Sequence, residues 1–336
     1  MAIRTDEIKE LGIRSALKVV DGFYLGLAES YRKVPLANPK LYGLHTEKNI
    51  PYRNTSQPEH CLDIMRPKNA HGPLPVLFYI HGGGFRLLSK DTHLFFAMMF
   101  AKKGFLVVNI NYRLAPAHPF PAAIEDTCAA YKWMVKNIAQ YGGDTDRIIV
   151  SGESAGGNLA TSLAIATCQQ QPEPYAKEVF DLGVVPKALI PACGYLEITR
   201  PERYHTGGLW GELTQGVMRI LEKEYLPQPH LAGPLNNPLP FLEESTPTER
   251  PFPPCFIPVG GADSLAQDSI RLANALKKRN VNATTKVYPN RGHAFHAYIW
   301  LKQARQCWRD MFAFSNDILY ASSQNWQPAA ARRRVA

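Results

Sequence analysis

A serine between two glycines is the residue in this chain best suited by its context to nucleophilic chemistry. The stretch GESAG places Ser154 directly after the β-branched run 148–150 and before the helix-like GGNLATSLAIAT. In such a strand–turn–helix setting, the sharp turn presents the serine hydroxyl above a sheet, and the helix N-terminus favours developing negative charge. Because glycine is common, the five-residue pattern also arises by chance. Ser154 therefore needs partners before it is assigned a role.

A run of three glycines could supply the hydrogen-bond donors that acyl transfer requires. The HGGG stretch follows a strand-like apolar run, and glycines expose backbone N–H groups without interference from a Cβ atom. We predict that the N–H groups of Gly83, Gly84 and Ala155 form an oxyanion hole, with Gly82 as an alternative for one of them. His81 is interpreted as a brace for this loop and not as a base.

An acid and a base are expected after the nucleophile, in the chain order Ser, Asp or Glu, His. Asp263 follows the strand-like run CFIPVG, and His293 follows the next such run, TTKVYP. Three strand ends would then bring Ser154, Asp263 and His293 to one rim of a sheet. Asp268 is the alternative for the acid and His296 the alternative for the base, and we favour Asp263 and His293 over them.

The elements that must position these residues alternate between short apolar runs and longer helical patterns. Continuously apolar strands are typical of a parallel sheet covered on both faces, so the pattern predicts an α/β fold, mostly parallel, with helices on both faces. The strands are predicted at 76–80, 105–110, 148–150, 187–191, 255–259 and 284–288. The helices are predicted at 92–102, 122–139, 156–167 and 269–278.

Two regions do not follow this alternation of strands and helices, and they set the predicted domain boundaries. Residues 1–45 form a helical pattern before the first predicted strand, and residues 195–245 interrupt the strand–helix rhythm. An insertion at the carboxyl end of a parallel sheet lies over its ligand crevice, so we expect both segments to form a helical cap. The catalytic core then comprises 46–194 and 246–322, and the basic tail 323–336 is expected to be disordered.

Composition narrows the function classes. The chain has 336 residues, 45% of them hydrophobic and 20% charged, which is ordinary for a globular protein. Its net charge of +9 is dispersed or lies in the tail, which argues against nucleic acid. The six cysteines are scattered without metal-site spacing, so we expect free thiols and no metal. No membrane segment or signal peptide is predicted, and a cytoplasmic location is expected.

The motifs together resemble the bacterial hormone-sensitive-lipase-like esterases (family IV) of the α/β-hydrolase superfamily. The resemblance is carried, in family order, by HGGGF, YRLAPAHPFPAA, GESAGGNLA, GADSLAQD and GHAF, between about residues 76 and 295. It implies an eight-stranded sheet with a helical cap and carboxylester hydrolysis without a cofactor. It also implies the triad Ser154, Asp263 and His293, the oxyanion loop at Gly83 and Gly84, and a small ester of short to medium acyl chain as substrate.

Departures from the family pattern leave the substrate open. Asn111 and Ala117 stand where acidic residues are usual, Glu153 replaces the commoner Asp or Thr, and Ser264 replaces a proline. An amidase, a lactonase or an arylamide deacetylase could use the same machinery, because the shape of the pocket selects the substrate. A binding protein without catalysis is disfavoured because His293 is present. The stretch TTKVY is a candidate edge strand, and pairing through such an edge would form a homodimer.

Overall fold

A computed structural model describes residues 5–204, 208–244 and 246–320. Over these ranges the chain forms an eight-stranded sheet. The strands are β1 (Leu44–Pro51), β2 (Cys61–Pro67), β3 (Leu74–Ile80), β4 (Leu106–Ile110), β5 (Gly143–Glu153), β6 (Ala188–Ala192), β7 (Cys255–Gly260) and β8 (Ala283–Tyr288).

The strand order is β1-β2-β4-β3-β5-β6-β7-β8. The six strands from β3 to β8 run parallel, whereas β2 is antiparallel to both β1 and β4. The chain reverses direction in strand order beside β3, since β4 lies on one side of it and β5 on the other. In parallel sheets of this kind, ligands bind outside the carboxyl ends of the strands near such a reversal.

Helices precede, separate and follow the strands. They are α1 (Thr5–Lys33), α2 (Leu94–Ala101), α3 (Ala122–Asn137), α4 (Ala155–Cys168), α5 (Pro174–Asp181), α6 (Gly208–Tyr225), α7 (Pro238–Glu243), α8 (Ala266–Lys278) and α9 (Lys302–Tyr320). Among the residues described, no helix has both the length and the apolar character that a bilayer crossing requires.

The central strand β3 shows why its sequence is apolar at every position. Val76, Phe78 and Ile80 are buried in one cluster, together with side chains of α3, α4 and α8. Leu77 and Tyr79, which alternate with them, are buried in a second cluster with side chains of α2 and α9. Successive side chains of a strand point to opposite faces, so a sheet covered on both sides needs apolar residues throughout.

The two segments predicted as a cap contain helices that pack on each other. A Cβ atom at Gly216 of α6 would lie 2.4 Å from the Cδ1 atom of Ile13 in α1, so the glycine permits a close crossing. Arg14 of α1 is paired with Glu224 of α6 at 3.2 Å. An apolar contact and an ion pair therefore join α1 to α6.

The fold predicted from the sequence is confirmed as an α/β-hydrolase fold, and the six predicted strands are all present within it. The strands β1 and β2 and the helices α5, α7 and α9 were not among the elements predicted from sequence patterns. The predicted tail 323–336 lies outside the described residues, as do residues 1–4, 205–207 and 245 within the predicted cap segments.

Candidate active site

Ser154 lies in a strained turn between a strand and a helix. Strand β5 ends at Glu153, helix α4 begins at Ala155, and Ser154 between them has φ 56° and ψ −119°. A residue other than glycine with positive φ is uncommon and persists only where its surroundings hold it. A Cβ atom at Gly156 would lie 2.2 Å from the Ile80 carbonyl oxygen, so only glycine allows this close approach of helix and strand.

His293 and Asp263 are hydrogen-bonded to each other on the loops that follow β8 and β7. The distance from His293 Nδ1 to Asp263 Oδ2 is 2.9 Å. The other carboxylate oxygen, Oδ1, accepts a hydrogen bond from the Leu265 N–H at 2.9 Å. The two loops are joined by the Ala262 N–H, which donates to the Arg291 carbonyl at 2.9 Å. These contacts fix the orientation of the carboxylate and of the imidazole that it faces.

The Asp263 carboxylate determines the protonation of His293. Desolvation by itself would lower the pKa of His293, but Asp263, with a smaller contribution from Cys193, outweighs it and raises the pKa well above its ordinary value. In the neutral imidazole, Nδ1 carries the proton because it donates to a carboxylate. Nε2 then keeps a lone pair with which it can accept a proton.

The two alternatives for the acid and the base have other partners. Asp268 Oδ2 accepts hydrogen bonds from the Leu196 N–H at 3.0 Å and from the Tyr204 hydroxyl at 2.7 Å, so this carboxylate holds the chain beyond β6. The His296 ring is buried against Phe96, and burial lowers its pKa to about 4. Asp263 accepts its hydrogen bond from His293 and not from His296.

The N–H groups of the glycine loop after β3 differ in whether they already donate a hydrogen bond. The Gly82 N–H donates to Glu153 Oε1 at 3.0 Å. Within the part of the chain that the structure describes, no hydrogen bond engages the N–H groups of Gly83, Gly84 or Ala155. The predicted donors are thus free to bind an oxyanion, whereas the alternative donor Gly82 is already engaged.

Glu153 is a functional candidate whose role the sequence did not reveal. This buried carboxylate accepts hydrogen bonds from Gly82, from Nε2 of His93 and from the hydroxyl of Tyr79. Burial by itself would raise its pKa, but His93 and the hydrogen-bond donors hold the pKa of Glu153 at about 2. Glu153 is therefore an anion at neutral pH, and it ties the residue before Ser154 to the glycine loop.

A buried histidine braces the same loop from behind. His81 Nδ1 contacts the Gly82 carbonyl oxygen at 2.7 Å, and the imidazole stacks on Tyr112 with ring centroids 4.2 Å apart. The Tyr112 hydroxyl donates to the His81 carbonyl at 2.8 Å. Burial lowers the pKa of His81 to about 3, so the ring is neutral and packs as part of the core.

A cavity of about 350 Å³ contains Ser154 and His293 in its lining. Its other walls are mostly apolar, and two of them come from the segments predicted to form a cap. Helix α1 contributes Leu17, and helix α6 contributes Met218 and Leu221. Trp300, which is 62% exposed, also lines the cavity. The cavity therefore combines mostly apolar walls with a serine, a histidine and the glycine loop that carries Gly83 and Gly84.

Arg86 connects the glycine loop to helices α1 and α6. It lies two residues after Gly84, and its guanidinium is paired with Asp21 of α1 and with Glu224 of α6, the latter at 2.8 Å. Arg86 and Asp21 also line the cavity. The position of the loop is therefore coupled to the position of α1 and α6.

Comparisons with known proteins identify a fold family and several esterases to which this chain is similar. The family described as alpha/beta hydrolase fold matches residues 77–297. Versiconal hemiacetal acetate esterase of Dothistroma septosporum is 31% identical over 241 residues, which is 71% of this chain and 70% of the relative. Esterase LipI of Mycobacterium tuberculosis is 31% identical over 236 residues, covering 66% of this chain and 67% of the relative. The solved Pyrobaculum calidifontis esterase is 27% identical with a TM-score of 0.72, covering 91% of this chain and 93% of that one.

Proposed function

This chain belongs to the alpha/beta hydrolase fold family and is an esterase of the hormone-sensitive-lipase-like type, and from that premise we propose that it is a serine carboxylesterase acting on short- to medium-chain acyl esters. The observation that carries the proposal is the hydrogen bond from His293 to Asp263 beside a cavity that also contains Ser154. Nucleophile, base and orienting acid are the parts of an acyl-transfer triad.

In the proposed mechanism, Nε2 of His293 accepts the proton of Ser154 while the hydroxyl oxygen attacks the ester carbonyl. Asp263 keeps Nδ1 protonated and stabilises the imidazolium that forms. The imidazolium then protonates the leaving alcohol, and the acyl group stays on Ser154 as an ester. Water, deprotonated by the same imidazole, releases the carboxylic acid and restores the serine.

The N–H groups of Gly83, Gly84 and Ala155 bind the oxyanion of the tetrahedral intermediate in this proposal. Their lack of other hydrogen-bond acceptors in the described residues supports the assignment. Donors of this kind are already oriented before the charge develops, and the loss of one costs about 3 kcal/mol of transition-state stabilisation. The first turn of α4 follows Ser154 directly and adds the favourable field of a helix N-terminus.

The cavity supports a small, apolar acyl ester as substrate. Its volume of about 350 Å³ is at the lower end of the range, about 300–1,000 Å³, that is common for small-molecule sites. Leu17, Met218 and Leu221 present apolar surface to it. We propose that the segments 1–45 and 195–245 form the cap that encloses the substrate, since helices from both line the cavity.

The test is hydrolysis of p-nitrophenyl esters, from acetate to long acyl chains, by the wild type and by Ser154→Ala. We expect turnover to be fastest on short chains and to fall by roughly 10⁴-fold or more in the variant. Ser56→Ala, which changes an exposed serine, is the matched control and should retain wild-type activity. Folding of each variant is checked by its circular dichroism and thermal unfolding.

The outcomes of this test distinguish an esterase from an amidase or a lactonase that uses the same proposed triad. If folded wild-type protein hydrolyses aryl amides or lactones but not simple esters, the ester assignment is wrong and the triad assignment is retained. If Ser154→Ala keeps its esterase activity, the nucleophile is another residue and the proposed mechanism is wrong.

A further inference from the structure

A third potential metal ligand lies beside His293 and Asp263. Cys193 directly follows β6, which ends at Ala192, and its side chain is buried. His293 is close enough to the thiol to lower its pKa, while burial, the larger effect, raises it. One ligating atom from each of Cys193, Asp263 and His293 lies within 4.8 Å of the other two.

We propose that Cys193 Sγ, Asp263 Oδ2 and His293 Nδ1 form a binding site for Zn²⁺ and that occupation of this site inhibits the enzyme. Thiolate, imidazole and carboxylate are the three ligand types that Zn²⁺ takes in proteins. Mg²⁺ and Ca²⁺ prefer sites made of oxygen atoms alone, so the thiol selects against both of them.

The spacing of the three atoms fits a small ion with short bonds. Zinc bonds of about 2.0–2.3 Å in tetrahedral geometry place the ligand atoms about 3.3–3.8 Å apart. The Nδ1–Oδ2 distance of 2.9 Å must lengthen slightly to reach this range. The ligating atoms of the three residues lie within 4.8 Å of one another, so a separation longer than the range needs only a small shortening. Three protein ligands leave a fourth position for water.

The sheet explains why three distant residues meet. Cys193, Asp263 and His293 follow β6, β7 and β8, which are consecutive in the strand order. The carboxyl ends of neighbouring parallel strands lie at one edge of the sheet, so the loops that follow them are adjacent. This is why the cysteine spacing in the sequence carries no metal signature.

An ion can reach the site past the imidazole. The His293 side chain is 32% exposed and borders the cavity, whereas the Asp263 side chain has no exposed surface. His293 is thus the outermost of the three ligands. The other two lie behind it, so the imidazole must move slightly for the ion to enter and then becomes a ligand itself.

Binding at this position changes the tautomer of the imidazole. The ion takes the Nδ1 lone pair, so the proton that Nδ1 carried moves to Nε2, and the thiol releases one proton to solvent. No oxidation or reduction takes place. Nε2 then has no lone pair with which to accept the proton of Ser154. The inhibition rests on the proposed function, because it requires His293 to act as the base, but the binding of the ion does not.

The first measurement reads binding without turnover. Cd²⁺ replaces Zn²⁺ as the probe, because a cadmium–thiolate bond adds ultraviolet charge-transfer absorption. We expect the absorption in the wild type and in Cys61→Ser, which changes the only half-buried cysteine of the six. We expect it to be absent in Cys193→Ala. Its absence from the wild type, or its retention in Cys193→Ala, would overturn the site.

The second measurement reads the effect on catalysis. Zn²⁺ should inhibit ester hydrolysis by the wild type and by Cys61→Ser, and EDTA should restore the activity. Inhibition is read relative to the activity of each protein without added metal, and Cys193→Ala should need at least about tenfold more Zn²⁺ than the wild type for half-inhibition. Equal inhibition of both proteins would overturn the role of Cys193, and binding without inhibition would overturn the inhibitory effect. If Cys193→Ala does not fold, Cys193→Ser takes its place, because it retains the size and a polar group.

If the protein has no esterase activity, the cadmium absorption still decides whether the site exists. If the protein is active but shows no cadmium absorption, the metal site is wrong and the proposed function is unaffected. The two proposals therefore fail in distinguishable ways.

Discussion

Glu153 links two parts of the site that come from different strands. It ends β5 directly before Ser154, the proposed nucleophile, and it accepts a hydrogen bond from the Gly82 N–H of the loop that follows β3. Its second oxygen accepts a hydrogen bond from the Tyr79 hydroxyl. The position of the proposed oxyanion donors relative to Ser154 therefore depends on a buried carboxylate outside the proposed triad.

We expect Glu153→Gln to lower kcat by about tenfold or more with little change in KM. An amide has only one acceptor oxygen where Glu153 has two, so it cannot satisfy Gly82, His93 and Tyr79 as the carboxylate does. A shifted oxyanion loop weakens the transition state more than the ground state. Steady-state kinetics with p-nitrophenyl acetate measure the split, and Glu178→Gln on the exposed face of α5 is the control. A change confined to KM would contradict the positioning role.

The pH dependence of kcat/KM follows from the carboxylate beside His293. The base works only when it is neutral, so activity rises as the pH passes its pKa in the free enzyme. Because Asp263 raises the pKa of His293, we expect the rise at a pH above the unperturbed histidine value of about 6.5. Asp263→Asn removes that attraction, and its residual activity should rise at lower pH. A rise at or below pH 6.5 in the wild type would contradict this prediction.

At the scale of elements, Arg86 ties the glycine loop to helices α1 and α6, which we propose belong to a cap. Its pairs with Asp21 and Glu224 cross from the loop to α1 and to α6, and all three side chains are mostly buried. A pair shielded from water is screened by salt less than an exposed one. The ion pairs thus hold the loop and both helices in one arrangement.

We expect Asp21→Asn to raise KM for bulky acyl esters several-fold and to leave the turnover of acetate esters nearly unchanged. The variant weakens the contact of α1 with Arg86, and Leu17 of the same helix lines the cavity. Michaelis constants over a series of acyl lengths test this expectation. Asp181→Asn, which breaks an exposed pair with Lys177 on α5, is the matched control. Equal effects on short and long chains would argue against a cap role for α1.

Some elements could be predicted from the sequence because their patterns are local. The buried parallel strands are continuously apolar, and the turn around Ser154 carries its glycines within five residues. Strands β1 and β2 escaped prediction because they lie at or next to one edge of the sheet, and β1 mixes exposed and buried positions. The contacts of Glu153 with His93 and Tyr79 span 60 or more residues, so no local pattern encodes them.

Cys193 was also not singled out from the sequence, although a signal existed. It directly follows β6, just as Asp263 and His293 come soon after β7 and β8. The same argument from strand ends that predicted the acid and the base would have predicted this thiol near them. The spacing rules for metal sites did not find it, because they describe ligands within one loop or hairpin.

At the scale of the whole molecule, the sheet ends in an open edge at β8. This strand is last in the order, and Val287 on it is 43% exposed. An exposed edge offers unpaired backbone groups to a second copy, which supports the homodimer left open by the sequence. Sedimentation velocity at micromolar concentration should detect a dimer.

We expect Val287→Lys to shift the monomer–dimer equilibrium toward the monomer. Two lysines that face each other across a paired edge repel and are poorly solvated. Val34→Lys changes a valine of similar exposure, 42%, near the end of α1 and should leave the dimer intact. A wild type that sediments as a monomer, or a Val287→Lys protein that remains dimeric, would contradict pairing through β8.

The cavity is lined partly by residues at strand ends and partly by residues of helices outside the sheet, and this affects how the substrate range of such an enzyme can evolve. Ser154 and His293 stand on strand ends of the core, whereas Leu17, Met218 and Leu221 come from helices outside the sheet. Substitutions in those helices alter which molecules fit and leave the reacting groups in place. New substrate ranges are thus open to this chain without loss of chemistry, and a mutant library aimed at selectivity would be confined to the cavity-facing positions of α1 and α6.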